Sequence, residues 1–259
     1  MEMLAEERQN QLYERIRKDG AITTAQAAQV FQVSIETIRK DFLHMHARGI
    51  ITKTHGGAVR KSSIKPQHAY SVRREENYDL KHQVAHKAAE YVQEGDVIGI
   101  DEGSTALAFA EVLRDRFASL TVITFSLDVL QVLSENKGIR VILCGGEYMP
   151  EEKAFFGLQT IQMLKTLHMQ KVFLSPTGIS IDAGICGYCM PLIQLQQQMI
   201  ESAEQVFVLA DSSKFEKHAL CKAADLDCRY IYITDSGLPQ QIRQLYTEEK
   251  IQLVIGEEK

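Results

Sequence analysis

The sequence SIETIRKDF at residues 34–42 decides the fold of the first part of this chain, because it has the pattern of a capped helix with two different sides. Ser34 is a favoured N-cap residue, whose hydroxyl accepts a hydrogen bond from a first-turn amide. Apolar residues recur at helical spacing and predict one buried stripe: Ile35, Ile38, Phe42 and Met45. Polar side chains fall on the other faces: Glu36, Thr37, Arg39, Lys40 and His44. Such a helix is either an ordinary amphipathic surface helix or one that reads base edges in the DNA major groove.

The flanking sequence favours the second alternative. Residues 7–18 have a helical pattern that ends before Gly20, and residues 25–31 predict a short helix capped by Thr23 or Thr24. Only residues 32–34 separate this short helix from the longer one, which is the order of a helix-turn-helix. Residues 50–59 contain two β-prone arms around a glycine pair, as expected of a hairpin that forms a wing.

This part of the chain resembles, with intact spacing, the winged helix-turn-helix of the DeoR family of bacterial transcription regulators. The resemblance is carried by Arg8, Leu12, Ile16, Ser34, Thr37, Ile38, Arg39, Lys40, Asp41, Phe42 and the wing residues 55–58. The predicted DNA-binding residues are Ser34, Glu36, Thr37, Arg39 and Lys40 on the helix, with Lys53 and His55 on the wing. Arg39 and Lys40 are expected to grip phosphates or guanine edges, and the wing residues to touch the DNA backbone.

Charge is distributed unevenly along the chain. Residues 1–74 hold 13 Lys and Arg against 7 Asp and Glu, a net charge of +6, whereas the remainder has a net charge of −11. A basic head on an acidic body fits DNA binding at the N-terminal end. The length of 259 residues suits two modest domains. No apolar run approaches the ~20 residues that cross a bilayer, and residues 1–10 lack the apolar core of a signal peptide, so we expect a cytoplasmic protein.

The second half alternates short apolar strands with helical patterns. Strands are predicted at residues 97–100, 120–124, 140–143, 171–174, 205–209 and 230–234. This alternation predicts an α/β domain with a mostly parallel sheet covered on both faces. We therefore expect a winged helix-turn-helix domain at residues 1–59, a basic linker at 60–75 and an effector-binding α/β domain at 76–259.

The polar sequence DEGST at residues 101–105 follows the first of these strands. Ligands of parallel sheets bind beyond the carboxyl ends of the strands, and amides with hydroxyls at a helix start suit a phosphate. The residues alone are explained equally well by a turn at Gly103 and a cap at Ser104.

The second half also resembles the family's effector domain, whose fold is similar to that of ribose-5-phosphate isomerases. The resemblance covers roughly residues 6–235 and implies a site for a phosphorylated sugar or related metabolite. The implied site residues are Asp101, Gly103, Ser104, Thr105, Thr124, Ser126, Gly178 and Lys214. Phe125 and Thr177 depart from the family pattern, which has Asn and Asp there. The phosphate end is therefore expected to be kept and the sugar end altered, and the effector's identity stays open.

Lys214 follows the predicted strand at residues 205–209, so we expect it on the rim where the phosphate loop lies. Its ammonium group would supply positive charge for a phosphate. Loss of Lys214 is then expected to leave operator binding intact and to abolish release by the effector.

The five cysteines do not indicate a disulfide framework. Cys186 and Cys189 have the spacing of a redox or zinc half-site, but Cys221 and Cys228 have six residues between them. We expect reduced thiols, with no metal and no cofactor.

Two functions remain open at this stage. The first is a transcription regulator, most often a repressor in this family, of a carbohydrate-metabolism operon controlled by the effector. The second is a sugar-phosphate isomerase with Asp101 or Glu102 as base, which we disfavour because a winged head has no role in an isomerase. The expected partners are operator DNA, the effector and further copies of the chain in a homodimer or homotetramer, without a membrane.

Overall fold

The computed structural model describes residues 3–60 and 68–257. Lys61, Ser62, Ser63 and Pro66 of the predicted linker lie outside the described residues. Within these two ranges, no helix is both long enough and apolar enough to cross a membrane.

Residues 5–60 form a small helical domain, the head, that is closed by a three-stranded sheet. Its elements are α1 (Ala5–Asp19), β1 (Ala21–Thr23), α2 (Thr24–Phe31), α3 (Ile35–Ala47), β2 (Ile51–Lys53) and β3 (Gly57–Arg60). The strand order is β1-β3-β2, and both pairs are antiparallel. The predicted winged helix-turn-helix is thus confirmed, and β1, which the sequence did not indicate, adds a third strand to the wing.

Both helices of the helix-turn-helix begin at capping side chains. Thr23 caps α2 in a reciprocal pair with Gln26: the Thr23 hydroxyl accepts from the Gln26 amide at 3.1 Å, and Gln26 Oε1 accepts from the Thr23 amide at 3.0 Å. Ser34 caps α3, and its hydroxyl accepts from the Thr37 amide at 3.1 Å. These caps fix where α2 and α3 begin.

The core of the head lies between the helices and one face of the sheet. It consists of Leu12, Ile16, Ile22, Ala27, Ile38, Phe42, Met45, Ile51 and Ala58. Ile35, expected in the apolar stripe, is 48% exposed instead. It is the first residue of α3 and lies outside this core, so the stripe starts at Ile38.

A buried ion pair ties α1 to α3. Arg8 Nε lies 2.6 Å from Asp41 Oδ2, and Gln9 Nε2 donates to Asp41 Oδ1 at 2.9 Å. Both charged side chains are at least 90% buried. Because a single buried charge is costly, this pair requires both partners and holds α3 in one orientation on the head.

The rest of the described chain builds an α/β domain, the sensor. Its helices are α4 (Tyr70–Glu75), α5 (Tyr78–Ala88), α6 (Ser104–Arg116), α7 (Leu127–Leu133), α8 (Leu158–Lys165), α9 (Met190–Glu201) and α10 (Gln240–Glu248). Its strands are β4 (Val97–Ile100), β5 (Leu120–Thr124), β6 (Ile139–Leu143), β7 (Glu147–Met149), β8 (Ala154–Phe156), β9 (Met169–Leu174), β10 (Gly178–Ser180), β11 (Gly184–Gly187), β12 (Ala203–Leu209), β13 (Cys221–Ala224), β14 (Ile231–Thr234) and β15 (Gln252–Ile255).

Seven of these strands form one parallel sheet in the order β15-β14-β12-β9-β4-β5-β6. The six predicted strands all lie in it, which confirms the α/β class, and β15 joins at the edge without having been predicted. Apolar side chains from α5, α6 and α7 pack on one face, and those from α8, α9 and α10 pack on the other. Parallel pairing brings the carboxyl ends of β4, β5, β9 and β12 to the same edge.

The predicted linker at residues 60–75 contains a helix over its last residues, α4. Tyr70 and Arg73 of this helix are buried against the sensor. The domain boundaries themselves stay a prediction.

Candidate functional site

The outer face of α3 presents the polar side chains that the sequence indicated. Ser34, Glu36, Arg39 and Lys40 are exposed and Thr37 is half-buried. Arg39 pairs only loosely with Glu36, with Nη1 and Oε2 3.6 Å apart and both side chains over 60% exposed. The guanidinium is therefore accessible to a base edge or phosphate, in the arrangement by which a helix-turn-helix enters the major groove.

The wing residues Lys53 and His55 also have exposed side chains. The backbone amide of His55, however, donates to Glu249 Oε1 of the sensor at 3.0 Å. One backbone donor of the predicted DNA-contacting wing is thus occupied by a carboxylate in this conformation.

The loop between β4 and α6 has a geometry suited to an anion. Gly103 adopts a φ of +104°, which favours glycine, and turns the chain into α6 at Ser104. Asp101 is fully buried and accepts from the Ser175 amide at 2.9 Å and from Gln196 Nε2 at 2.7 Å. Asp101 therefore ties the loop to the end of β9 and to α9, while Ser104 opens a helix whose dipole favours negative charge.

A cavity of about 350 Å³ opens at Ser104. Arg74, Lys81 and Lys153 bring three cationic side chains to its lining, together with the hydroxyl of Tyr70. These cations were not predicted as site residues: Arg74 belongs to the predicted linker, and neither lysine lies in a recognisable motif. Three cations at the start of α6 suit a multiply charged anion.

Asp128 is a buried carboxylate that holds this cationic wall together. It accepts from the Tyr70 hydroxyl at 2.9 Å and from Lys153 Nζ at 3.1 Å, and Arg74 Nη1 lies 3.6 Å away. Burial, with the charge of Asp128, raises the pKa of Tyr70, so this hydroxyl stays protonated and donates. An anion that enters the cavity would share Lys153 and Arg74 with Asp128.

Thr124 and Ser126 lie beside the loop, at the end of the neighbouring strand β5. The Thr124 hydroxyl accepts from the Ser126 amide at 3.1 Å, and the Ser126 hydroxyl accepts from the Val129 amide at 3.4 Å and caps α7. Neither residue lines the 350 Å³ cavity. Both hydroxyls serve the backbone in this conformation.

Gly178 and Lys214, like Thr124 and Ser126, do not line the cavity at Ser104. A Cβ on Gly178 would lie 2.5 Å from the Lys217 carbonyl oxygen, so close backbone packing requires glycine there. Lys214 follows β12, two strands from β4, and is not in the cavity lining. Burial lowers the pKa of Lys81, and the charge of Lys214 lowers it further while Asp211 raises it, so Lys214 adds positive potential beside the cavity.

Two buried carboxyl groups lie on the inner side of the loop. Burial raises the pKa of Asp101 to about 6 and holds that of Glu102 well above its usual range. Asp101 Oδ1 and Glu102 Oε2 have no hydrogen-bond partner among the described residues. Glu102 shares a small cleft with Thr177 and Gln196, so its carboxyl group lies near one of the two residues that depart from the family pattern.

All five cysteines are thiols. Cys186 is buried and donates to the Gly178 carbonyl at 3.3 Å, and burial raises the pKa of Cys186 and Cys189. In the described ranges, no group of three or more His, Cys, Asp or Glu side chains is placed to hold a metal ion.

Comparisons with known proteins match both halves of the chain. The DeoR-like helix-turn-helix domain matches residues 8–64, and the DeoR C terminal sensor domain matches residues 76–236. The transcriptional repressor AccR of Agrobacterium fabrum is 30% identical over 249 residues, 93% of this chain and 96% of that protein. The glycerol-3-phosphate regulon repressor of Escherichia coli is 27% identical over 249 residues, 95% of this chain and 97% of that protein. An uncharacterized HTH-type transcriptional regulator of Bacillus subtilis, YulB, is 34% identical over 244 residues, 94% of each chain.

Among solved structures, ribose 5-phosphate isomerase A from Methanocaldococcus jannaschii matches with a TM-score of 0.41 and 23% identity, covering 55% of this chain and 56% of its own. The relatives that align with more than 90% of this chain are named as transcription regulators. The isomerase alternative is therefore set aside.

Proposed function

Because the chain belongs to the DeoR family of transcription regulators, which bind DNA through the helix-turn-helix, we propose that it represses a carbohydrate-metabolism operon and responds to a phosphorylated sugar or related metabolite. The head supplies the DNA contacts through Arg39 and Lys40 on α3. The sensor binds the effector at the start of α6.

The observation that carries the effector proposal is the cationic cavity at Ser104. Arg74, Lys81 and Lys153 line this cavity together with Ser104, the first residue of α6, and outnumber the two carboxylates of the lining, Glu75 and Glu111. A phosphate group would bind at Ser104 and these cations. One relative is named as a glycerol-3-phosphate regulon repressor, which agrees with a phosphorylated ligand.

We further propose that the protein acts in the cytoplasm as a homodimer or homotetramer. Paired recognition helices read paired half-sites about one helical turn apart, which a single head does not do. Sedimentation analysis of the full chain tests this: a monomer at micromolar concentration would contradict it.

The effector proposal is tested by thermal melting with matched compounds. Glucose 6-phosphate, ribose 5-phosphate, glycerol 3-phosphate, the corresponding unphosphorylated compounds and inorganic phosphate are each added to the full chain. A ligand that binds only the folded state raises the melting temperature, so at least one phosphorylated compound is expected to raise it where its unphosphorylated partner does not. Equal shifts for both partners, or a shift that survives in a Lys153→Ala, Arg74→Ala variant, would place the effector elsewhere.

A further inference from the structure

Helix α10 contacts the head on one side and the segment after Lys214 on the other, although it lies beyond both matched family regions, 8–64 and 76–236. On the head side, the contact begins with the wing sheet. Ile22 pairs with Ala58, and both face the head core. Ala21 pairs with Val59 on the other face. These two residues belong to the core cluster that contains Ile242 and Leu245 of α10. The wing sheet is therefore apolar on both faces, and α10 covers the outer one.

Polar contacts extend this apolar interface to the DNA-binding elements. Gln26 Nε2, in the first turn of α2, donates to Gln244 Oε1 at 2.6 Å. Glu249 Oε1 accepts from the His55 amide at 3.0 Å, and the Glu248 carboxylate packs against Gly56. Two carboxylates thus lie against the wing turn, whose backbone amides and basic side chains would otherwise face DNA phosphates.

We propose that α10 is an intramolecular docking surface for the head and that the docked form is autoinhibited, because Glu248 and Glu249 occupy wing positions that a DNA phosphate would take. The docked form then binds DNA weakly, and undocking of the head from α10 precedes tight binding. The acidic residues act by competing for the His55 amide and by repelling phosphates from the turn.

The opposite side of α10 gives this docking a route to the effector site, a step that rests on the proposed function. Tyr246 is fully buried; its hydroxyl donates to Glu216 Oε1 at 2.8 Å and its ring meets the Phe215 ring edge-on at 5.3 Å. Phe215 and Glu216 directly follow Lys214. The Asp235 carboxylate, which accepts from the Ser212 and Gly237 amides, ties the same segment to the start of α10. A ligand that moves the Lys214 segment therefore acts on the helix that holds the wing.

The test removes the two charges without changing side-chain size. A DNA duplex is first selected from a random pool with the wild-type chain. The affinity of three proteins for this duplex is then measured: the wild type, the double variant Glu248→Gln, Glu249→Gln, and the control double variant Glu201→Gln, Glu204→Gln. The control removes the same charge from exposed residues at the end of α9 and the start of β12. The first variant is expected to bind at least fivefold more tightly, within the usual 5- to 150-fold range of coupling, and the control to bind as wild type does.

Hydrogen exchange of the segment 54–60 measures docking without DNA. It is expected to be faster in the first variant than in wild type or the control, with unchanged melting temperatures. Equal gains in affinity for both variants would mean that only overall charge matters, and unchanged affinity in the first variant would mean that α10 does not inhibit; either result overturns the proposal. If the wild type selects no duplex, the DNA-binding function itself fails, and unchanged exchange at the wing then overturns the docking separately.

Discussion

The two binding regions of this molecule are built in opposite ways. The proposed DNA-reading residues lie on one helix, α3 with its N-cap, so they are neighbours both in sequence and in space: Ser34, Glu36, Thr37, Arg39 and Lys40. The proposed effector cavity takes Ser104 from α6, Lys153 from the β7–β8 hairpin, and Arg74 and Lys81 from two helices that precede the sheet. A contiguous site is readable from periodicity alone, whereas an assembled site depends on how distant segments pack.

The two regions also differ in how they are supported. The head has a small core and depends on one buried ion pair, while the sensor has two large apolar clusters on a seven-stranded sheet. We therefore expect single substitutions to unfold the head far more readily than the sensor.

The largest expected effect comes from breaking the Arg8–Asp41 pair. Arg8→Met leaves the buried Asp41 carboxylate without its charged partner and should destabilise the head by about 3–5 kcal/mol. Circular dichroism in urea should show an early transition for the head, and hydrogen exchange in β4 should stay as in wild type.

Arg17→Met is the matched control, since Arg17 and Glu14 form an exposed pair at 2.6 Å. Such a pair contributes about 0–1 kcal/mol. If Arg8→Met costs no more than the control, or if β4 loses protection as well, the contrast between a fragile head and a robust sensor is wrong.

The second prediction concerns how the stability of the sensor depends on pH. Burial raises the pKa of Glu216 from 4.5 to about 7, so the protonated form is favoured in the folded state. Its contribution to stability is fully present below pH 4.5 and is lost as pH rises through about 7. Glu216→Gln, which cannot ionise, should therefore be more stable than wild type at pH 8 by about 2–3 kcal/mol, with the difference vanishing near pH 4.

Urea titrations at pH 4, 6 and 8 measure this difference. The pKa of Asp101 and that of Glu102 are also raised by burial, but these groups are present in both proteins and cancel in the comparison. A difference that grows toward low pH would show that Glu216 is charged in the folded state.

The third prediction separates the regions by function. Arg39→Ala and Lys40→Ala should each weaken binding to the selected duplex. If the side chain reads a base edge, the loss should be about 1–3 kcal/mol. If it contacts a phosphate, the affinity should fall by a similar factor for all DNA sequences. Because both side chains are exposed, melting temperature and ligand-induced shifts should not change. Wild-type affinity in the double variant would remove α3 from the interface.

The contrast between the regions also explains what sequence reasoning found and missed. Caps, helix order and six sheet strands follow from short-range patterns, and those predictions are confirmed. Strand β1 has only three residues, Ala21–Thr23, and exists because it pairs with β3 about 36 residues later, which no local pattern encodes. The cationic wall depends on Asp128 reaching Tyr70 across 58 residues of sequence. Ser126 is an effector-site residue by resemblance to the family, and its hydroxyl caps α7 in this structure; the sequence does not distinguish these two roles.

The smallest effect distinguishes those two roles of a serine hydroxyl. Ser104 opens α6 in the cavity wall without capping the helix, whereas the Ser126 hydroxyl caps α7 by accepting from Val129. Ser104→Ala should therefore leave the melting temperature nearly unchanged. It should weaken binding of the most stabilising sugar phosphate by ~1 kcal/mol, about fivefold, because one hydrogen bond to the anion is lost. The cations Arg74, Lys81 and Lys153 remain. Ser126→Ala should do the reverse: lose ~1 kcal/mol of stability, the usual value of a cap, and keep the ligand affinity.

Calorimetric titration and urea unfolding of both variants measure the ligand affinity and the free energy of unfolding of each. If Ser126→Ala weakens ligand binding as much as Ser104→Ala does, the effector reaches the end of β5 and the site is larger than the cavity at Ser104; if Ser104→Ala loses only stability, the phosphate lies elsewhere on the sheet edge.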